Sequence, residues 1–199
     1  MTLGLTVDSL LASPGRVRLL RTLYAEPRRG WSGRELARAA GVSSAQCARD
    51  LVDLLEAGLL SRDVVGRTFS WRLNEAYAMG PALEALFRTE RDLPNSLRAE
   101  LARALSSVPV KEARLFGSVA RGDDTPRSDI DLFVEVRKPS LALQARVALD
   151  GARRRVWQQF GLPLNALVYT TREIEASPSS AFFDAVRKEG IPLVPVEEP

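Results

Sequence analysis

The sequence predicts an α/β (α+β) chain of two domains, a helical unit closed by a hairpin followed by a mixed sheet backed by helices. Three observations predict it. Between residues 14 and 57, apolar residues recur at helical spacing behind repeated helix-start signals; residues 60–73 alternate as a hairpin does; and after about residue 107 short apolar strands alternate with helical stretches. The divisions read as 1–76 for the first domain, 77–92 for a linker helix and 93–199 for the second. With 199 residues, 45% hydrophobic and 27% charged, the chain is long enough for two small cores.

The first helix begins at Ser13-Pro14, because proline is tolerated at the first helical position. It carries Val17, Leu20, Leu23 and Tyr24 at helical spacing and stops ahead of Pro27. "WSGRELARAAGVSSAQCARDLVDLLEAGLL" then holds Ser32 with Glu35 and Ser43 with Gln46, each the pattern of a capping box that starts a short helix. Gly41 lies in the turn between them. In "GLLSRDVVGRTFSWRLN", Leu60, Arg62 and Val64 alternate before Val65-Gly66-Arg67-Thr68, and Phe69, Trp71 and Leu73 alternate after it, which reads as a two-stranded hairpin.

Helix, helix, turn, helix and hairpin in this order resemble a winged helix-turn-helix of the kind found in bacterial transcription regulators, over residues 14–74. The resemblance implies that the third helix, Ser44 to Ala57, enters the major groove and that the hairpin is the wing. Ser44, Gln46, Arg49 and Asp50 then become exposed candidates for DNA contact, with Arg67 at the wing tip for a phosphate or the minor groove. Gln46 equally fits a role confined to its capping box. Cys47 reads as core, because it shares an apolar stripe with Leu51, Leu54 and Leu55. Winged helices also serve as protein–protein modules, so DNA is the partner that fold and charge imply. A homodimer is expected with it, since paired half-sites require paired readers.

Charge is uneven in the same sense: residues 1–74 hold 11 Arg against 7 acidic residues, whereas residues 75–199 hold 17 basic against 18 acidic, within a net charge of +3. The absence of histidine removes Ser-His-Asp and Cys-His catalysis, imidazole bases and His-ligated metals. A single cysteine excludes an internal disulfide and a Cys-rich zinc site. The start, "MTLGLTVDSLLASPG", lacks a basic n-region and places Asp8 in its apolar part, and no run of about 18 apolar residues occurs anywhere. A soluble cytoplasmic protein with no membrane partner is expected. Its chemistry must rest on carboxylates, hydroxyls, Lys, Arg or oxygen-bound metals.

From Glu75 to Ser107 the pattern is helical in two segments separated at Leu93-Pro94-Asn95, with Leu83, Leu86 and Phe87 striping the first and Leu97, Leu101 and Leu105 the second. "VKEARLFGSVARG" then reads as a strand ending at Phe116, a tight turn at Gly117 and a short helix from Ser118. A glycine turn feeding a helix start leaves backbone N–H groups free for a phosphate, and the Ser118 hydroxyl adds a donor. "SDIDLFVEV" reads as the next strand, in which residues two apart share a face, so Asp129 and Asp131 point together with Ile130 opposite. Aspartate is a poor strand former and like charges on one face repel. A divalent cation compensates: Mg2+ (or Mn2+), held by one or two carboxylates plus substrate phosphate oxygens, suits an Asp pair beside a phosphate cradle. A sheet-edge loop with solvated acids is the other reading.

Gly117-Ser118, ten residues, then Asp129-Ile130-Asp131 resembles the signature of the DNA polymerase beta-type nucleotidyltransferases, and "FGSVARGDDTPRSDIDLFV" is similar to their minimal branch. The resemblance runs from about Leu93 to the C-terminus. A long amphipathic helix over Ser140–Phe160, a strand "LPLNALVYT", a helix "SAFFDAVRKEG" and a short strand "IPLVP" agree with it. It implies that Gly117 and Ser118 bind the triphosphate of a nucleoside triphosphate, that Arg121 and Arg127 neutralise phosphate charge, and that Asp129 and Asp131 are catalytic and hold Mg2+. Asp123 and Asp124 read as turn residues. The family carries a third carboxylate on the next strand, and the matching place here is Asn165, which offers a metal a carbonyl oxygen but no charge and no general base. Glu173 or Glu175 would have to substitute from beyond the strand.

Three functions follow from these implications. In the first, a nucleoside monophosphate is transferred to a hydroxyl of a protein, RNA or small molecule, with the winged helix targeting the enzyme. In the second, the catalytically weakened domain senses nucleotide for a transcription regulator. In the third, both modules are antitoxin-like interaction platforms beside a partner toxin.

Overall fold

The computed structural model describes residues 6–177 and 180–193. The chain divides into two compact units between Asp92 and Leu93.

In the first unit, helices α1 (Val7–Leu10), α2 (Pro14–Ala25), α3 (Gly33–Ala39) and α4 (Ser44–Glu56) precede an antiparallel hairpin, β1 (Leu60–Val65) and β2 (Thr68–Leu73). This is a winged helix-turn-helix. The start signals act as their chemistry requires: the Ser13 hydroxyl accepts from the Arg16 N–H at 3.1 Å ahead of Pro14, and Ser32 and Glu35 form a complete capping box. The second expected box forms only by half. Ser43 accepts from the Gln46 N–H, but the Gln46 carboxamide turns to the Asp50 carboxylate at 2.9 Å, where a charged acceptor makes the stronger bond. Helix α1 is a single turn, too short to announce itself, though Val7, Leu10 and Leu11 fall at helical spacing; Thr6 caps it and Leu10 anchors it in the core.

Leu19, Leu20, Leu23, Leu36, Leu51, Leu54 and Leu59 fill that core together with Trp31 and Trp71, whose main chains exchange hydrogen bonds of 2.9 and 2.8 Å and tie the hairpin to the residues before α3. Cys47 lies in the same core. Burial, with a smaller contribution from Asp50, pushes its thiol up to about 11, so it acts as a small hydrophobe.

Helix α5 (Gly80–Leu105) is continuous where two segments were expected. Pro94 forfeits one main-chain hydrogen bond; Leu83 and Phe87 before it are buried in the core of the first unit, and Leu97, Leu101 and Leu105 after it in the core of the second. Leu86, expected in the buried stripe, is 50% exposed.

The second unit is a four-stranded mixed sheet of order β5-β4-β3-β6, from β3 (Glu112–Phe116), β4 (Ile130–Val136), β5 (Leu164–Thr170) and β6 (Ile191–Pro192). Strand β4 is antiparallel to β3 and parallel to β5. Helix α6 (Gly117–Arg121) follows β3, α7 (Pro139–Phe160) makes the crossover from β4 to β5, and α8 (Thr171–Glu175) and α9 (Ser180–Glu189) lead to β6. Within the "IPLVP" stretch, Val194 and Pro195 lie outside the described residues.

Strand alternation sorts β4 by chemistry. Ile130, Leu132, Val134 and Val136 join the cluster that takes Ala142, Ala145, Leu149 and Val156 of α7. Phe133 belongs to the opposite aromatic cluster with Phe183 and Val186 of α9, beside Tyr169. Asp131 and Glu135 alternate in step with Phe133. Glu135 is 1% exposed and sits across from a second buried carboxylate, Glu112. Lys111, Arg187 and Thr171 all donate to Glu135, at 2.7, 3.0 and 2.7 Å, and Arg187 also reaches Glu112. Among the described residues, no helix is long and apolar enough to cross a membrane.

Burial alone would raise the Glu135 pKa, but the bonds from Lys111, Thr171 and Arg187 outweigh it and hold the carboxyl below its ordinary 4.5. The stabilisation is therefore complete above that value and is lost as pH falls through the lower, folded value. Chemical denaturation across pH should show Glu135→Gln less stable than the natural protein by about 3 kcal/mol at neutral pH. The difference should shrink as pH falls below the ordinary 4.5 and through the lower folded value, where the natural carboxylate protonates.

Candidate functional site

Sheet register assembles the C-terminal site at one end of three strands. Phe116, the last residue of β3, pairs with Asp131 of β4, and Asp131 pairs on its other side with Asn165 of β5. Gly117 then turns the chain out of β3 with φ +74°, and a Cβ there would collide with the Asp131 carboxylate. Both the left-handed turn and the close approach require glycine. The α6 start has no side-chain cap, leaving its first N–H groups and the half-buried Ser118 hydroxyl as donors next to a carboxylate.

Asp129 immediately precedes β4 and is exposed, while Asp131 is half-buried. Asn165 Nδ2 donates to Asp131 Oδ1 at 2.8 Å, so a neutral amide supports the carboxylate. Glu173 and Glu175 do not substitute for it. They follow the far end of β5, five residues and roughly 16 Å of strand beyond Asn165. Glu173 is also committed to the Thr170 capping box, whose main-chain and hydroxyl bonds hold its carboxyl below the ordinary value. Among the described residues, no three or more Asp, Glu, Cys or His side chains gather to hold a metal. Asp129 and Asp131 offer hard carboxylate oxygens of the kind Mg2+ and Mn2+ take, while Asn165 presents its amide nitrogen, not its oxygen, to Asp131.

The cations flank this end loosely. Arg121, the last residue of α6, pairs with Asp123 at 3.2 Å on the exposed surface. Arg127 is exposed within a turn closed by Thr125 and Ser128, whose main-chain bond is 2.9 Å. Phe116, Gly117, Ala120, Arg121, Phe182 and Val186 line a mostly apolar hollow beside the glycine turn. The α9 side of that hollow had no signal in the sequence, because it comes from residues more than sixty positions further along.

In the first unit, Ser44 and Arg49 are exposed on α4 and Arg67 is exposed in the β1–β2 turn. Asp50 is not available for contact: it is 1% exposed and accepts from Arg16 Nε at 2.9 Å. Gln46 is half-buried and bridges the two environments, donating to Asp50 at 2.9 Å and accepting from Arg49 at 2.8 Å. Arg16 also bonds Asp53 and the Ser9 carbonyl, so one buried guanidinium joins α1, α2 and α4. Gln46, Arg49 and Asp50, expected as separate exposed candidates, are instead joined in this relay, and Arg16, 34 residues from Asp50, was missed. Arg62, stacked on Phe69 at 4.2 Å, is a further wing cation that alternation alone did not single out.

Residues 97–188 match the family model described as a nucleotidyltransferase domain. Among solved structures, similarity is found to the transcriptional repressor BigR from Xylella fastidiosa, at 23% identity and TM-score 0.35 over 44% of this chain and 84% of that one. It is found also to MepR, a transcription regulator of the Staphylococcus aureus multidrug efflux pump MepA, at 22% identity and TM-score 0.35 over 48% and 78%. A third is the AntR antimony-specific transcriptional repressor, at 21% and 0.36 over 45% and 75%. At these TM-scores the likenesses add nothing to the element order described above. No curated protein matches the sequence significantly.

Gly117→Ala should lower stability by about 1–3 kcal/mol, through the left-handed backbone and the displaced Asp131 carboxylate. Thermal unfolding beside Gly122→Ala checks it, since Gly122 has the same φ sign but, among the described residues, nothing within 4 Å of an added Cβ. Backbone strain alone should cost both variants equally, and the excess at Gly117 measures the contact with Asp131.

Proposed function

We propose that this chain, whose residues 97–188 match the nucleotidyltransferase domain model, is a DNA-binding protein that transfers a nucleoside monophosphate from a nucleoside triphosphate to an acceptor hydroxyl. The observation that supports it is the register that brings Asp131 between the Gly117 turn and Asn165, with Asp129 at the same strand end. In this reading the Gly117 turn and the Ser118 hydroxyl donate to the phosphates, and Arg121 and Arg127 offset their charge. Asp129, Asp131 and the Asn165 carbonyl oxygen would hold Mg2+ or Mn2+, which when bound polarises the α-phosphate and stabilises the leaving pyrophosphate. The acceptor oxygen forms the new bond to the α-phosphorus as the bond to pyrophosphate breaks. Asn165 cannot accept the hydroxyl proton, so the acceptor loses it to solvent or to Asp129 or Asp131.

One observation favours a second reading. The Asn165 amide already donates to Asp131, lowering the need for a cation there, and it withdraws the base a transferase uses. A nucleotide-sensing regulator would be built in this way.

Label transfer from each α-labelled nucleoside triphosphate into cell lysate separates the two. An active enzyme labels an acceptor, and Asp129→Ala/Asp131→Ala abolishes labelling. Labelling by Asn165→Asp alone identifies the sensor, and retained labelling in the double alanine variant removes the catalytic assignment.

DNA binding rests on α4 and the wing. Affinity for DNA should fall steeply with salt, and Arg67→Ala should reduce the slope of log K against log salt by about 1 if Arg67 meets a phosphate. Arg49→Ala should cost about 1–3 kcal/mol at the preferred sequence if it meets a base. A salt-independent interaction would point to a protein partner for this unit.

A further inference from the structure

Helix α7 has a second face. Its inner side, Ala142, Ala145, Leu149, Ala152 and Val156, packs on the sheet, and the small residues among them let helix and sheet approach closely. On its outer side Leu143, Val147 and Trp157 are 63, 64 and 61% exposed. At 100° per residue these three fall within about 80° of arc, together with Asp150 and Arg154 between them. An aliphatic pair and a tryptophan aligned over four turns of one helix form a patch rather than scattered exposure. The charges within it are of opposite sign and one turn apart; Asp150 also meets Arg153 of its own chain at 3.4 Å, an exposed pair weak enough for a partner's arginine to displace.

Gly151 borders the same face. Among the described residues a Cβ there would meet nothing within 4 Å, so no contact among them explains a glycine at the middle of a 22-residue helix, where it costs about 1 kcal/mol relative to alanine. A glycine at that place does permit the backbone of another helix to come near.

We propose that this face pairs with the same face of a second copy of the chain, the two α7 helices running antiparallel about a two-fold axis beside Gly151. A two-fold contact is self-complementary, so each residue meets its mirror position in the partner. Centring the axis on residue 152 sets Asp150 against the partner's Arg154 and Arg154 against the partner's Asp150. The same register sets Val147 against the partner's Trp157 twice, at the two ends of a patch about 15 Å long. Two ion pairs flanked by two tryptophan contacts result. Shifting the axis to residue 150 would instead face Asp150 with its own copy, so charge selects the register. The pairing stands on α7 alone and does not depend on the function proposed above.

Sedimentation equilibrium of the full chain over a dilution series tests it. The natural protein should be a dimer that dissociates on dilution, because the patch is smaller than a standard interface. Asp150→Arg and Arg154→Asp should each weaken dimerisation at least about tenfold, and the double variant should recover to within about threefold of the natural protein. Val147→Glu should give a monomer. A natural protein that is monomeric at every concentration overturns the proposal, as does a dimer indifferent to Val147→Glu. Failure of the double variant to recover, when its thermal unfolding matches the natural protein's, overturns the antiparallel register.

Discussion

Strand β4 is paired on both edges and buried along most of its length, so every charge placed in it needs a partner. The second unit is organised around that requirement. On the face away from α7, Glu135 draws in Lys111, Thr171 and Arg187, three donors from three segments, and through them fixes where the chain entering β3 and helices α8 and α9 lie. At the other end of the same face, Asp131 is half-buried and is met by the amide of Asn165 and by a backbone that only glycine can bring so near. The end with the incomplete set of donors is the end that carries chemistry in the proposed function.

The first unit solves a similar problem with one guanidinium. Asp50 is buried on α4, and Arg16 reaches it from α2 while binding Asp53 and the Ser9 carbonyl. The second oxygen of Asp50 takes Gln46, and Gln46 takes Arg49, so the network runs from the core to the exposed face of α4. An ordered surface arginine loses less side-chain freedom on contact than a solvated one. Fold stability and the aim of Arg49 therefore depend on the same buried charge.

Asn165 joins electrostatics to chemistry. A carboxylate at this position would place a second negative charge beside Asp131 and increase the demand for a cation. The amide donates instead of repelling, at the cost of the proton acceptor. In the proposed function, one atom pair thus sets both how strongly the site needs a metal and whether it can activate an acceptor, which is why a single substitution there divides the two functional readings.

Much of this was determined by the sequence alone. Serine caps, glycine turns and apolar periodicity are local signals, and they placed α2, α3, α4, the hairpin and the β3–Gly117–α6 and β4 segments, although β4 begins at Ile130 and leaves Asp129 just outside it. Local signals reach only a few residues, which is why α1 and α8, each about one turn long, went unannounced and why Pro94 was read as a break. Long-range pairing was decided by the tertiary structure: Arg16 with Asp50, Glu112 opposite Glu135 beneath Arg187, and the hollow that Phe182 of α9 forms with Gly117. Asp50 shows the physical reason. Its position on α4 is fixed by the helical repeat, but whether that position faces water or a buried guanidinium depends on a helix that begins thirty residues earlier, and no periodicity within α4 carries that information.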